Sequence, residues 1–437
     1  MVATPYHHWL EPAGERADAD KMQNNSSAKV DLVVMAASKV LDNSDRHGVY
    51  LYPTLKPEPL NVVSAKGTTV VFSNGKTIED TTCGAAVACL GYNNERVKNA
   101  MIKQMDSFCY SNSLFYGHEI GEELAAELIG GTNGEMAKVY LMCSGAEAME
   151  SAMKMARQYC MELNPRQPQR TNFIAREGSY HGSTLGALSM GGHVGRRKLF
   201  EGMLLDNNIH RVSAANEYRG KADGQTTEEY VQQLADELDQ KFQEVGPETV
   251  AAFVAETLVG ATLGTIPAPT GYFKAMKEVC DKYGALLILD EVMCGMGRCG
   301  SLHEWEQEGV VPDIQTVAKG LAGGFAPMAA MFINYRVSDA LMNGSGRPSK
   351  RWQYPRQRLL LVSDKETKEP FLPSDGIAKK IHLTALNDVG ISLYPGMGTK
   401  DGVAGDHAWI GPAYNCTKQD IERIVSKVKE AVVLALG

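Results

Sequence analysis

Short apolar runs that stop at a polar residue recur through the middle of this chain, and helical spacing follows several of them. Val139–Cys143, Asn172–Arg176, Val250–Ala255, Ala285–Leu289 and Ile314–Val317 are each too short for a helix, so they predict strands. Between two of them Tyr272–Lys282 has helical periodicity, which makes a βαβ unit and implies a mainly parallel sheet covered by helices. Residues 71–335 are expected to form one large α/β domain. At the chain end Thr417 and Asp420 form a capping box, and Ile421, Ile424, Val425, Val428 and Val432 share one helical face that must pack on something. Residues 336–437 and 1–70 are expected to build a smaller α+β domain from both chain ends. Residues 344–371 lack convincing periodicity, carry Arg347, Lys350, Arg351, Arg356 and Arg358, and read as a loop or a badly joined region.

Composition narrows the class. A chain of 437 residues with 44% apolar residues, 43 Gly and 18 Pro can bury a large core and is neither low-complexity nor collagen-like. The net charge of −8 argues against nucleic acid or an anionic membrane as the main partner. Nine cysteines with no CxxC pair fit a reducing compartment, and no run reaches the roughly 20 apolar residues of a membrane span. With neither signal-peptide nor transit-peptide character in the first residues, the cytoplasm is the expected location.

The residues at the strand ends carry the chemistry. Ile314–Val317 delivers Lys319 into a glycine-rich turn; alone, that lysine reads as a solvated charge. Ala285–Leu289 ends at Asp290, where open α/β sheets bind ligands, and Val292 shares its face. A carboxylate beside an apolar side chain suits a flat heteroaromatic ring, although an aspartate capping the next element has the same look. After Val139–Cys143 comes Ser144-Gly-Ala-Glu147, a capping box whose helix offers free amides and a positive dipole end, a seat for phosphate. Tyr180, after the strand ending at Arg176, can stack on a ring, and Glu256 is another acid at a strand end. An amine, a ring-nitrogen partner, a ring sandwich and a phosphate seat are the parts needed to hold pyridoxal phosphate.

The motifs resemble those of the class III aminotransferases, pyridoxal-phosphate enzymes of fold type I. They are Cys143-Ser-Gly-Ala-Glu-Ala148, Tyr180-His-Gly182, Asp290-Glu-Val-Met-Cys-Gly-Met-Gly-Arg298, Ala318-Lys-Gly-Leu321 and Asp401-Gly-Val-Ala-Gly-Asp-His407. The resemblance implies that Lys319 forms the Schiff base and shuttles protons, and that Asp290 pairs with the ring nitrogen. Ser144, Gly145 and Ala146 would hold the phosphate, Tyr180 and Val292 the two ring faces, His181 a place beside the site, and Glu256 a supporting place behind it. Cys83, Phe115 and Tyr116 are expected in the pocket wall. The implied protein is a homodimer that moves an amino group from a primary amine or ω-amino acid to a keto acid such as pyruvate in ping-pong order. Met293-Cys294 resembles the ω-amine:pyruvate branch. Ala261 stands where the ornithine branch has Glu, and no counterpart of the family's carboxylate-binding Arg is found near Gly405-Asp-His407.

One departure is larger. The family's segment after the lysine strand, with a Thr that reaches the neighbouring subunit's phosphate, has no match after Gly346, and several tens of residues are expected to be missing there. That opens the alternative of an impaired or non-catalytic paralogue, beside an aminomutase or decarboxylase on the same cofactor. Other patterns are set aside. Gly295-Met-Gly-Arg-Cys-Gly300 matches GxGxxG but starts five residues past Asp290 and lacks the later acid. The ten histidines include no HExxH, so no metal site is expected.

Overall fold

The computed structural model describes residues 51, 59–113, 115–344, 359–364, 366–367, 369–399, 403–410 and 416–437. The basic run at 347–358 and the start of the Asp401–His407 motif lie outside them. The chain divides into two compact units, Met1–Ser345 and Gly346–Gly437.

The first unit is built on seven strands: β1 Met136–Met142, β2 Asn172–Arg176, β3 Ile209–Val212, β4 Val250–Glu256, β5 Leu286–Asp290, β6 Ile314–Val317 and β7 Ala329–Asn334. Their spatial order is β1-β7-β6-β5-β4-β2-β3. Strands β2 to β6 pair in parallel, and β7 runs antiparallel between β6 and β1. All five runs expected as strands are strands, and the fold is the expected α/β class. Strands β3 and β7 were not anticipated.

The central strands are apolar throughout because both faces are covered. Phe253, Ala255, Leu287 and Leu289 pack into one core with Leu234, Leu238, Phe242 and Phe273. Ala252, Val254, Leu286 and Ile288 pack into the other with Met149, Ala152 and Ala156. Helix α1, Gly145–Glu162, covers the second face. Helices α2, Thr227–Val245, and α3, Tyr272–Lys282, cover the first. Phe253 is fully buried, and truncating it to alanine would cost about 3–5 kcal/mol. Helix α4, Tyr335–Asn343, with Val337 buried against the α1 side, also belongs to this unit.

The register matters more than the strand count. Asp290 lies opposite Glu256 on β4 and Thr316 on β6. Two carboxylates and the strand that leads to Lys319 therefore end side by side at the carboxyl edge of the sheet.

Ahead of the sheet, Val62–Lys66, Thr69–Phe72 and Thr77–Glu79 form an antiparallel sheet with much exposed apolar surface, Val62 and Val63 being 58% and 62% exposed. In the second unit, Leu359–Leu360, His407–Trp409 and Tyr394–Gly396 pair antiparallel. Helix α5, Ile377–Thr384, and helix α6, Lys418–Leu436, pack beside them. The Thr417/Asp420 capping box is present, with Asp420 N donating to Thr417 Oγ1 at 3.2 Å. The buried face of α6 sits further along than its spacing suggests. Ala431 and Ala435 are buried with Val428 and Val432 beside them, whereas Ile421 and Val425 stay exposed. Small alanines allow the close helix approach, so they take the core positions.

Candidate functional site

A cavity of about 490 Å³ opens at the carboxyl ends of the strands. Its lining brings together Ser144, Gly145, Ala146, Tyr180, His181, Glu256, Asp290, Val292 and Lys319. Cys83, Phe115 and Tyr116 do not line it. Cys83 is half-buried at a positive-φ turn, and Phe115 packs edge-on to Tyr116 with ring centroids 6.3 Å apart. Ala85 and Val87, shortly after Cys83 in the sequence, do line it.

Asp290 is held at both oxygens. Oδ1 accepts from the Val292 amide at 3.0 Å, and Oδ2 stands 2.8 Å from His181 Nδ1. His181 is buried, and its Nε2 has no partner among the described residues. The aspartate is thus oriented by a histidine that sits 109 residues away in sequence.

Glu256 is tied to the backbone beside it. Its Oε1 accepts from the Tyr180 amide at 2.9 Å and its Oε2 from the Gly260 amide at 3.1 Å. Burial pushes its carboxyl up, the neighbouring Asp290 charge pushes the same way, and His181 opposes them. Glu256 therefore fixes where Tyr180 stands. The Arg196 guanidinium lies 4.6 Å from the Tyr180 ring centroid.

Ser144 caps α1, its Oγ accepting from Glu147 N at 3.2 Å. The Glu147 carboxylate does not complete a full capping box. It accepts from Cys143 N and Ser144 Oγ, both at 3.1 Å. The first amides of the helix, at Gly145 and Ala146, have no acceptor in the turn before them. Together with the dipole of an 18-residue helix they form an anion seat. Gly145 is required by closeness: a Cβ there would stand 2.7 Å from Val292 Cγ1. Gly145→Ala is expected to push Val292 into the cavity, cost about 1–3 kcal/mol of stability and weaken cofactor binding about tenfold. A fluorescence titration with pyridoxal phosphate checks it, and unchanged affinity would contradict the crowding argument.

Lys319 has φ +38°, a left-handed conformation rare for a residue with a Cβ. It opens a short turn, and Gly323 N donates to its carbonyl at 3.0 Å. A backbone held this way costs about 1–3 kcal/mol and is a feature of functional sites. These groups fit pyridoxal phosphate: a half-buried amine, a buried carboxylate with a fixed direction, Tyr180 and Val292 on the lining of the same cavity, and the first amides of α1.

One buried acid stands beside the site. Glu291 accepts from Glu304 N at 2.8 Å, Trp305 N at 2.7 Å, Thr257 Oγ1 at 3.0 Å and Gln315 Nε2 at 2.8 Å. It thereby pins the loop at 303–305 to the end of β5. Burial pushes its carboxyl up to about 7 from an ordinary 4.5 despite these donors. A raised folded value means the stabilisation is complete below about 4.5 and is lost as pH rises through about 7. Glu291→Gln removes that titration, so its melting temperature relative to the parent should climb between pH 5 and pH 8. A difference independent of pH would refute the shift.

Several lining residues escaped sequence reasoning. Arg196 and the stretch Ala326–Met328 line the cavity, yet neither stands at the end of a predicted strand. Among the described residues, no cluster of His, Cys, Asp or Glu is placed to hold a metal ion, and no helix is long and apolar enough to cross a membrane.

Comparison with known proteins agrees with this geometry. The family description Aminotransferase class-III matches residues 51–349. An aminotransferase of Gibberella zeae is 83% identical over 452 aligned positions, which take in 91% of this chain and 88% of that protein. An uncharacterised aminotransferase of Schizosaccharomyces pombe is 38% identical over 448 positions, covering 90% and 96%. A β-alanine–pyruvate aminotransferase of Pseudomonas aeruginosa is 31% identical, covering 65% of this chain and 62% of that protein. Among solved structures, an amine transaminase from an uncultivated Pseudomonas species in its pyridoxal-phosphate-bound form superposes with a TM-score of 0.66 at 26% identity, covering 89% of this chain and 99% of that one. With a lysine, an aspartate and a helix N-terminus converging on one cavity, and with matches of this extent, the chain belongs to the class III aminotransferases.

Proposed function

We propose that this enzyme transfers an amino group from a primary amine or ω-amino acid to a keto acid such as pyruvate, in ping-pong order. The observation that carries the reading is the meeting of Lys319, Asp290 and the α1 N-terminus on one cavity. Likeness to a β-alanine–pyruvate aminotransferase supports the substrate class.

Pyridoxal phosphate, when bound, supplies a reactive carbonyl and an electron-withdrawing ring. Lys319 Nζ presents the amine that holds it and moves the proton on the substrate carbon. Asp290 keeps a positive charge on the ring nitrogen, and His181 holds that carboxylate in place. Tyr180, set by Glu256, and Val292 close the two ring faces and exclude water. The amides of Gly145 and Ala146, with Ser144 capping their helix, hold the phosphate.

The exposed apolar residues Val62, Val63, Met101, Ile102, Met105 and Phe108 suit a homodimer interface. The nine cysteines are all unpaired, in keeping with the reducing environment of a cytoplasmic enzyme.

A shortened chain is part of this reading. The Gibberella alignment has 452 positions but holds only about 398 residues of this chain, leaving about 54 opposite a gap; the Schizosaccharomyces alignment leaves about 55. The family match ends at 349, close to Gly346, after which a segment is expected to be missing. This favours the second reading, an impaired paralogue, over an aminomutase or decarboxylase.

The test is formation of alanine from pyruvate with β-alanine and a panel of primary amines. Parallel double-reciprocal lines are expected. No alanine from any donor, with cofactor bound, would leave the impaired paralogue as the better account.

A further inference from the structure

Four charged residues line the cavity: Glu256, Asp290, Lys319 and Arg196. The first three stand at or just past strand ends and are spent on holding and working the cofactor in the reading above. Arg196 is different. It lies on the short helix Val194–Arg197, where its amide donates to His193 Nδ1 at 3.3 Å.

Its guanidinium covers the Tyr180 ring at 4.6 Å. Stacking uses the flat face of a guanidinium and leaves the in-plane fork of N–H donors free. Among the described residues, the Arg196 side chain makes no hydrogen bond and no ion pair. Its neighbour shows what a structural arginine looks like here. Arg197 donates to the carbonyls of Leu188, Ser189 and Gly191 at 3.1, 2.7 and 3.0 Å, and pairs with Asp206 at 2.6 Å. Ala261, also on the lining, brings no carboxylate to neutralise Arg196.

An arginine that lies over an aromatic ring, lines a cavity and has no carboxylate partner among the described residues is placed to receive one. We infer that Arg196 binds the carboxylate of the substrate, so the site selects amino acids and keto acids over amines without a carboxylate. This rests on the aminotransferase reading and names its substrate class. The cofactor phosphate has donors of its own at α1, so it does not need this arginine.

The test compares the cofactor-loaded parent with Arg196→Gln and Arg196→Lys. Two donors of nearly equal shape are used, β-alanine and the neutral β-alaninamide, and each half-saturating concentration is read from the change in visible absorption. Calorimetry measures binding of propionate, which carries a carboxylate and cannot react. For Arg196→Gln, β-alanine and propionate should weaken about 10- to 100-fold while β-alaninamide stays within about twofold. Arg196→Lys should fall between, since a point charge replaces the fork. Equal shifts for both donors, or unchanged propionate binding, would overturn the inference. A loss of pyridoxal phosphate affinity without discrimination between the donors would overturn it too, assigning the arginine to the phosphate. If the parent reacts with no amine at all, the aminotransferase reading fails separately, and propionate binding still decides the role of Arg196.

Discussion

Lys319→Ala leaves the fold intact and removes turnover. Loss of positioned proton transfer alone lowers the rate by about 10²- to 10⁴-fold, and loss of the amine that holds the cofactor adds to it. The residue is half-buried and lines the cavity, so stability should stay within about 0.5 kcal/mol of the parent. Alanine tolerates the left-handed φ of +38° no worse than lysine does. Alanine formation from pyruvate, read beside a thermal melt, separates the two effects. A variant that turns over at more than a tenth of the parent rate would show that another residue carries the proton.

Asp290→Asn is the second large loss. The carboxylate is 5% exposed and faces His181, so the amide that replaces it keeps the shape and removes the charge. Breaking a buried charge pair by removing one partner costs about 3–5 kcal/mol, or between about a hundredfold and a few thousandfold in cofactor affinity or rate. The Val292 amide keeps its acceptor, since Asn retains one carbonyl oxygen, and the turn after β5 should hold. Titration with pyridoxal phosphate, followed in the visible region, gives the affinity. Affinity and rate both within about threefold of the parent would place the ring nitrogen elsewhere.

Much of this was legible in the sequence for a specific physical reason. Strands buried on both faces must be apolar along their length, so Leu286–Asp290 and Val250–Glu256 announce themselves, and the first charged residue marks where each leaves the sheet. The site lies at those exits, and reading the exits finds Asp290, Glu256 and Lys319 together. Strand β7 was harder to see: Ala329–Asn334 carries small residues and an Asn, and its antiparallel course depends on β1 and β6 being its neighbours. The role of Glu256 was only half legible. Its position at a strand end is local, but its bonds to the Tyr180 and Gly260 amides depend on how two loops return. Arg196 sits on a four-residue helix with no periodic signal, beside an arginine of identical chemistry and different duty. Cys83, Phe115 and Tyr116 were placed by resemblance alone, and within this chain the cavity is walled by Ala85 and Val87 instead.

The most direct test of the central claim uses the parent chain and its visible spectrum. Purified protein is titrated with pyridoxal phosphate, then given β-alanine, then pyruvate. The account predicts an absorption band that forms with the cofactor, bleaches with the amine and returns with the keto acid, one complete cycle at Lys319. A chain that forms no band, or a band that no donor alters, would mean that the geometry of Lys319 and Asp290 survives without the activity it was built for.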